Sequence, residues 1–181
     1  MLNKVLVVAG LGAAGWFYVI DGSKLDEAMV RDFYEKQQIG FLSRNPEALC
    51  KQFASNVVIN SETVILGQKQ VQTLNQKTAC EATHDSFKSF TDIGGKTGGI
   101  LMMDYQYKID SIEIAANKKR ATVVTSNTLT MGGSLMEFRT TSNEELVRNY
   151  REVQLVKSDS KTGMDMNLAG MADPAKFFGK Q

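Results

Sequence analysis

Residues 25–61, LDEAMVRDFYEKQQIGFLSRNPEALCKQFASNVVINS, decide the architecture. Leu25, Met29, Phe33, Tyr34, Phe41 and Leu42 fall mostly at helical spacing, with charged residues opposite, which predicts a long amphipathic helix. Ser23 followed by Asp26 resembles a capping box, with Asp in place of the usual Glu or Gln. Gly40 weakens the last turn, and Asn45-Pro46 restarts the chain with a cap residue and a proline suited to the first helical position. A short second helix is expected over residues 46–53, with Leu49 and Phe53 inward, and Asn56 then leads into a short buried strand at Val57-Val58-Ile59.

The 181 residues suffice for one domain with a full core plus an appendage. Charge is nearly balanced, with 21 basic and 20 acidic residues, which argues against broad electrostatic binding to nucleic acid while leaving room for a local basic patch. No nucleic-acid partner is expected. The one basic run, Lys118-Lys119-Arg120, sits at an expected hairpin turn and reads as solvated. A single histidine and two cysteines restrict site chemistry sharply.

Ahead of the domain, residues 5–20 (VLVVAGLGAAGWFYVI) carry no charge; Lys4 precedes them and Asp21-Gly22-Ser23 follows. A full span takes about 20 apolar residues, so Met1, Leu2 and a snorkelling Lys4 must extend this one. The basic N-terminal flank favours a cytoplasmic N-terminus and a translocated domain. Gly12 and Ala14 offer a cleavage site, yet the apolar run continues past them, and an uncleaved signal anchor over residues 1–22 is the preferred reading. Gly10-Leu11-Gly12-Ala13-Ala14-Gly15 is a literal GxGxxG, but Asp21-Gly22-Ser23 breaks any following helix and the later half looks antiparallel. Gly10 and Ala14 fit better as a small-residue packing face of a membrane helix.

A third helix is expected over residues 68–90, with Val71, Leu74, Ala82 and Phe90 on its packed face. Cys80 and His84 share one side of it. With Cys50 they make three metal ligands and lack a fourth, so no metal and no cofactor is expected. In a translocated domain a Cys50–Cys80 disulfide is the preferred state, with two buried free thiols as the alternative. Gly95-Lys96-Thr97 invites comparison with a phosphate loop, but Phe90 stands where the motif needs glycine.

From Ile100 the pattern changes to period two, with Met103, Tyr105, Tyr107 and Ile109 alternating against polar neighbours. The phase slips at Asp110-Ser111, which predicts a β-bulge. A turn is expected at Asn117-Lys118, a strand over residues 121–131, and a hairpin at Gly132-Gly133. Further strands are expected over residues 135–141, 145–157 and 162–171, with a turn at Ser158-Asp159-Ser160. Ser142 and Glu145 offer a short helix as an alternative. Residues 173–181 read as a peripheral tail.

VRDFYEKQQIGFLSRNPEALCKQFASNVVINSE, followed by QKQVQTLNQKTACEATHDSFKSF and long strands, resembles the NTF2-like superfamily over residues 25–172. The resemblance implies an α+β cone in which three helices pack on a curved antiparallel sheet, forming a domain over residues 23–172. It carries no functional motif. Together with the anchor, the pattern also resembles VirB8-type assembly subunits of type IV secretion systems. The expected function is therefore a non-enzymatic binding or assembly module. It would be single-pass in a bacterial inner membrane, face the periplasm, and meet a protein partner or a second copy through the sheet. The alternative is a small-molecule binder, or an isomerase- or dehydratase-like enzyme. Members of the group that are enzymes place acids, a Tyr or a His in the cone mouth, which points to Tyr34, His84 and Asp104.

Overall fold

The computed structural model describes residues 24–65, 67–96, 102–132, 136–149 and 152–166. The apolar segment with Gly10 and Ala14, and the C-terminal tail, lie outside the described residues. Among those described, no helix is long and apolar enough to cross a membrane.

Helix α1 (Glu27–Leu42) starts at Asp26, whose carboxylate accepts the Met29 backbone N–H at 2.9 Å. Its buried residues are Val30, Phe33, Tyr34 and Gly40, whereas Leu42 is exposed. Gly40 has a packing reason: a Cβ there would stand 2.8 Å from Leu49 Cδ2, so a larger residue would push the buried Leu49 side chain of the next helix aside. That helix, α2 (Pro46–Cys50), is capped by Asn45, whose side chain accepts the Ala48 N–H at 3.0 Å.

Strand β1 (Phe53–Ile65) is far longer than the three residues expected. It turns through Gly67, at φ 80°, into β2 (Gln68–Leu74). Here the expected helix over residues 68–90 is corrected. Its first seven residues pair antiparallel with β1, from Ile59↔Leu74 to Ile65↔Gln68, and Val71 is exposed. Gln, Lys and Thr with a lone Val suit an exposed edge strand, and a new helix start follows at Asn75, whose side-chain amide oxygen accepts the Thr78 N–H at 3.0 Å. Helix α3 (Gln76–Lys96) begins there.

The remaining strands are β3 (Met103–Ile114), β4 (Arg120–Met131), β5 (Met136–Asn149) and β6 (Glu152–Met166). The bulge falls where the phase slips, between Ile109 and Ser111. Lys118 turns the chain with φ 53°. The six strands form one sheet in the order β2-β1-β6-β5-β4-β3. All neighbours are antiparallel except β1 and β6, which run parallel and correct the expectation of a wholly antiparallel sheet. The turn expected at Ser158-Asp159-Ser160 lies in the middle of β6, and the alternative helix at Ser142 is mid-strand in β5. Polar residues there are not turn formers. Ser158 points inward to a buried carboxyl, while Asp159 faces outward to Asn60 and Lys157.

One end of this half-cone is filled. Leu25, Val30, Phe33 and Tyr34 pack on Val57, Ala121, Val123, Leu146 and Leu155. Each large side chain buried here contributes about 1.5–3 kcal/mol. The disulfide joins Cys50 to Cys80, with Cα atoms 5.3 Å apart, and so ties α2 to α3. The aromatic residues of β3 point into the molecule. Tyr107 lies 5.8 Å from Tyr34, roughly stacked, and Tyr105 lies 4.6 Å from Phe41. The outer sheet face instead carries threonines and ion pairs such as Lys108–Asp110 (2.6 Å) and Lys157–Asp159 (2.7 Å).

Candidate functional site, an uncharged cavity in the cone

Beyond Tyr34, helix α1 stops filling the sheet. Its next inward residues are Gln37 and Phe41, and α3 stands across from them with Ala79, Ala82, Thr83, Phe87 and Phe90. Between the helices and the sheet is a cavity of about 430 Å³. Phe41 anchors one wall, stacked on Tyr105 and edge-on to Phe87 at 5.8 Å, and Phe87 in turn meets Phe90 at 6.1 Å. Leu129 and Phe138, paired across β4 and β5, form the apolar part of the sheet side.

The rest of the sheet side is polar without being charged. Asn127, Thr140 and Thr162 occupy neighbouring positions on β4, β5 and β6 and line the cavity together. The Thr140 and Thr162 hydroxyls share a hydrogen bond at 2.8 Å. The Asn127 amide oxygen is buried and has no hydrogen-bond partner among the described residues; the same holds for the Thr125 hydroxyl one step deeper. Such orphaned acceptors cost stability unless a water or a ligand donor reaches them. No Asp, Glu, His, Lys or Arg lines the cavity among the described residues; the titratable wall residue is Tyr105. Burial raises the Tyr105 pKa, with Glu144 and Tyr107 adding to it, so its proton stays on.

Behind this wall lies one buried acid. Glu144 is 7% exposed and accepts a hydrogen bond from the Tyr34 hydroxyl at 2.6 Å and one from Ser158 at 3.4 Å. Burial raises the Glu144 pKa, against the lowering effect of those two donors. Burial also raises that of Tyr34, and Glu144 pushes it further. The Tyr34 hydroxyl therefore keeps its proton, the Glu144 carboxyl holds its own more tightly than a free glutamate, and neither group lines the cavity.

The residues read from the sequence as an acid–base set do not converge. Tyr34 is buried in the filled end. His84 is exposed on α3, and Asp104 is exposed on β3, where it accepts from Gln106 at 2.8 Å; neither lines the cavity. Among the described residues there is no group of metal-ligating side chains. Sequence reasoning missed Asn127, Thr140, Thr162 and Glu144. Their signal was the run of Ser, Thr and Asn at alternate positions of strands whose other signals are apolar.

No protein-family model matches the chain, and no curated protein matches it in sequence. Solved structures do match. A conserved protein from Planctomyces limnophilus DSM 3776 superposes with a TM-score of 0.56 at 13% identity, covering 76% of this chain and 95% of the other. A protein assigned as a scytalone dehydratase from Novosphingobium aromaticivorans DSM 12444 gives 0.54 at 8% identity, over 77% and 86% of the two chains. One assigned as a calcium/calmodulin-dependent protein kinase type II association domain from Thiobacillus denitrificans ATCC 25259 gives 0.52 at 13%, over 77% and 95%. Identities this low speak to architecture alone. The helical opening, the curved six-stranded sheet and these neighbours together give the chain the NTF2-like fold.

Proposed function

We propose that this chain is a non-enzymatic binding module that holds a small, uncharged, mainly apolar molecule in the cone. A single observation carries the reading: an aromatic-lined cavity of about 430 Å³ in which every polar wall group is neutral. Acid–base catalysis needs an ionisable group within hydrogen-bond reach of the reacting atom, and among the described residues the wall supplies a single such group, a tyrosine that keeps its proton. A carboxylate ligand would be stripped of water with no cation to meet it, at a cost of several kcal/mol or more. A neutral ring system with a hydroxyl or amide donor suits Asn127. The apolar run at residues 5–20 supports tethering of the domain to a bacterial inner membrane on the periplasmic side, a compartment in which the Cys50–Cys80 bond would persist.

The test uses a matched pair of fluorescent probes. N-phenyl-1-naphthylamine is neutral, and 1-anilinonaphthalene-8-sulfonate is the same body with a sulfonate. The expected result is saturable brightening of the neutral dye, weak response to the anionic one, and loss of the first in Ala82→Trp, which fills the cavity from α3. Equal responses to the two dyes, or neutral-dye binding indifferent to Ala82→Trp, would refute the reading.

Assembly through the sheet is the second reading. Exposed Val58, Val64 and Val124 on the outer face favour it, although the ion pairs around them oppose a dry interface. Its check is the particle mass of the purified chain, with a single-copy mass counting against it.

A further inference from the structure

The end of the cone away from the cavity collects positive charge at the point where the chain enters the domain. The Leu25 N–H donates to the Lys118 carbonyl at 2.5 Å, which pins the β3–β4 turn against the start of the fold. Arg148 reinforces the junction, its guanidinium donating to the Lys24 carbonyl and its backbone N–H to the Lys119 carbonyl. Lys24, Lys118, Lys119, Arg120 and Arg148 thus meet within one small region. Of the acids nearby, Glu145 pairs with Arg120, the Asp26 carboxylate is engaged in capping α1, and Glu152 lies beside Arg148. No acidic side chain pairs with Lys118 or Lys119 among the described residues, and both are exposed. The turn therefore keeps a net positive charge.

Position gives this charge a meaning. Four residues, Asp21 to Lys24, separate Ile20, the end of the uncharged run, from Leu25, a distance of five residue steps. Fully extended they reach about 17 Å, so the Lys118 turn stays within a short step of whatever surface holds that run. From Ala121 to Leu129 the strand climbs about 26 Å toward the cavity end.

We infer that the Lys118-Lys119 turn is a docking surface for the anionic headgroups of a phospholipid bilayer, and that it stands the cone upright with the cavity facing away from the membrane. The inference rests on the tether proposed above. A lysine near an anionic leaflet gains about 1 kcal/mol, or about fivefold in occupancy, so two lysines suffice to bias orientation. A wholly neutral bilayer offers the turn nothing comparable.

The experiment places the full chain in nanodiscs of phosphatidylcholine alone or mixed with phosphatidylglycerol. Lysine acetylation rates are then read by mass spectrometry, with Lys77 on α3 as the internal reference. Lys118 and Lys119 are expected to label at least fivefold more slowly, relative to Lys77, in the anionic discs. High salt should erase the difference, and Lys118→Gln should weaken the protection of Lys119. Equal labelling in the two discs, slow or fast, would overturn the inference while leaving the tether intact. A chain that fails to co-elute with either disc would overturn both.

Discussion

The two ends of the inner sheet face are built from the same strands and do opposite things. Toward the β3–β4 turn, α1 drives Val30, Phe33 and Tyr34 onto Val57, Val123 and Leu146 to make the buried core. Two turns further along, α1 offers Gln37 and Phe41, α3 stands off, and the sheet presents Asn127, Thr140 and Thr162 to a cavity. What separates a core from a binding site here is the helix that covers each part of the sheet. The packed end bears the stability, which frees the other end to stay hollow and carry unpaired polar groups.

The sharpest way to break this division is to empty the filled end. Phe33→Ala should cost about 3–5 kcal/mol in chemical denaturation while the folded fraction still brightens the neutral dye. Loss of dye binding in proportion to the remaining native signal would fit; loss well beyond it would show that the two ends are one unit. Next in size is the strap between α2 and α3. Reduction, or Cys50→Ser with Cys80→Ser, opens a loop spanning a separation of 30 residues and should cost about 3–4 kcal/mol. Because α3 forms one cavity wall, dye affinity should fall as well. Gly40→Val forces a branched side chain against Leu49 and should cost about 1–3 kcal/mol with little effect on the dye.

Glu144 sharpens the comparison through pH. Its folded pKa is raised by burial, so above the ordinary glutamate pKa of about 4.3 the unfolded chain releases a proton that the folded one keeps. Stability should fall as pH rises from that value to the folded pKa, then level off. Glu144→Gln keeps the Tyr34 hydrogen bond and removes the titration. Its melting temperature should gain on the wild type across that window, by roughly 4 °C for each 1 kcal/mol removed. A constant offset between the two proteins at every pH would contradict the raised pKa. Smallest of all should be Asp104→Asn and His84→Ala, each within about 0.5 kcal/mol in stability and without effect on dye affinity.

These outcomes bear on how much the sequence revealed. The helical opening was legible because Asp26, Asn45 and Pro46 are local signals read at the spot where they act. The bulge after Ile109 was legible because a slip in alternation is itself the structural event. Strand β2 was not. Its Gln- and Lys-rich sequence has no apolar alternation, since it sits at an edge with nearly every residue exposed. The long β6 was missed for a related reason. Ser158, Asp159 and Ser160 have turn composition, and only pairing with Glu144 and Asn60 across the sheet makes them a strand. The cavity was hidden by the same effect. Thr125, Asn127, Thr140, Ser142 and Glu144 look like a solvated face until α1 and α3 cover them.

Native mass spectrometry of the full chain, released gently from the cells that make it, tests the central claim most directly. The account predicts a folded, disulfide-bonded chain carrying a small neutral molecule, with that adduct absent from Ala82→Trp. A bare chain with an empty cone, or an adduct that Ala82→Trp leaves in place, would contradict it.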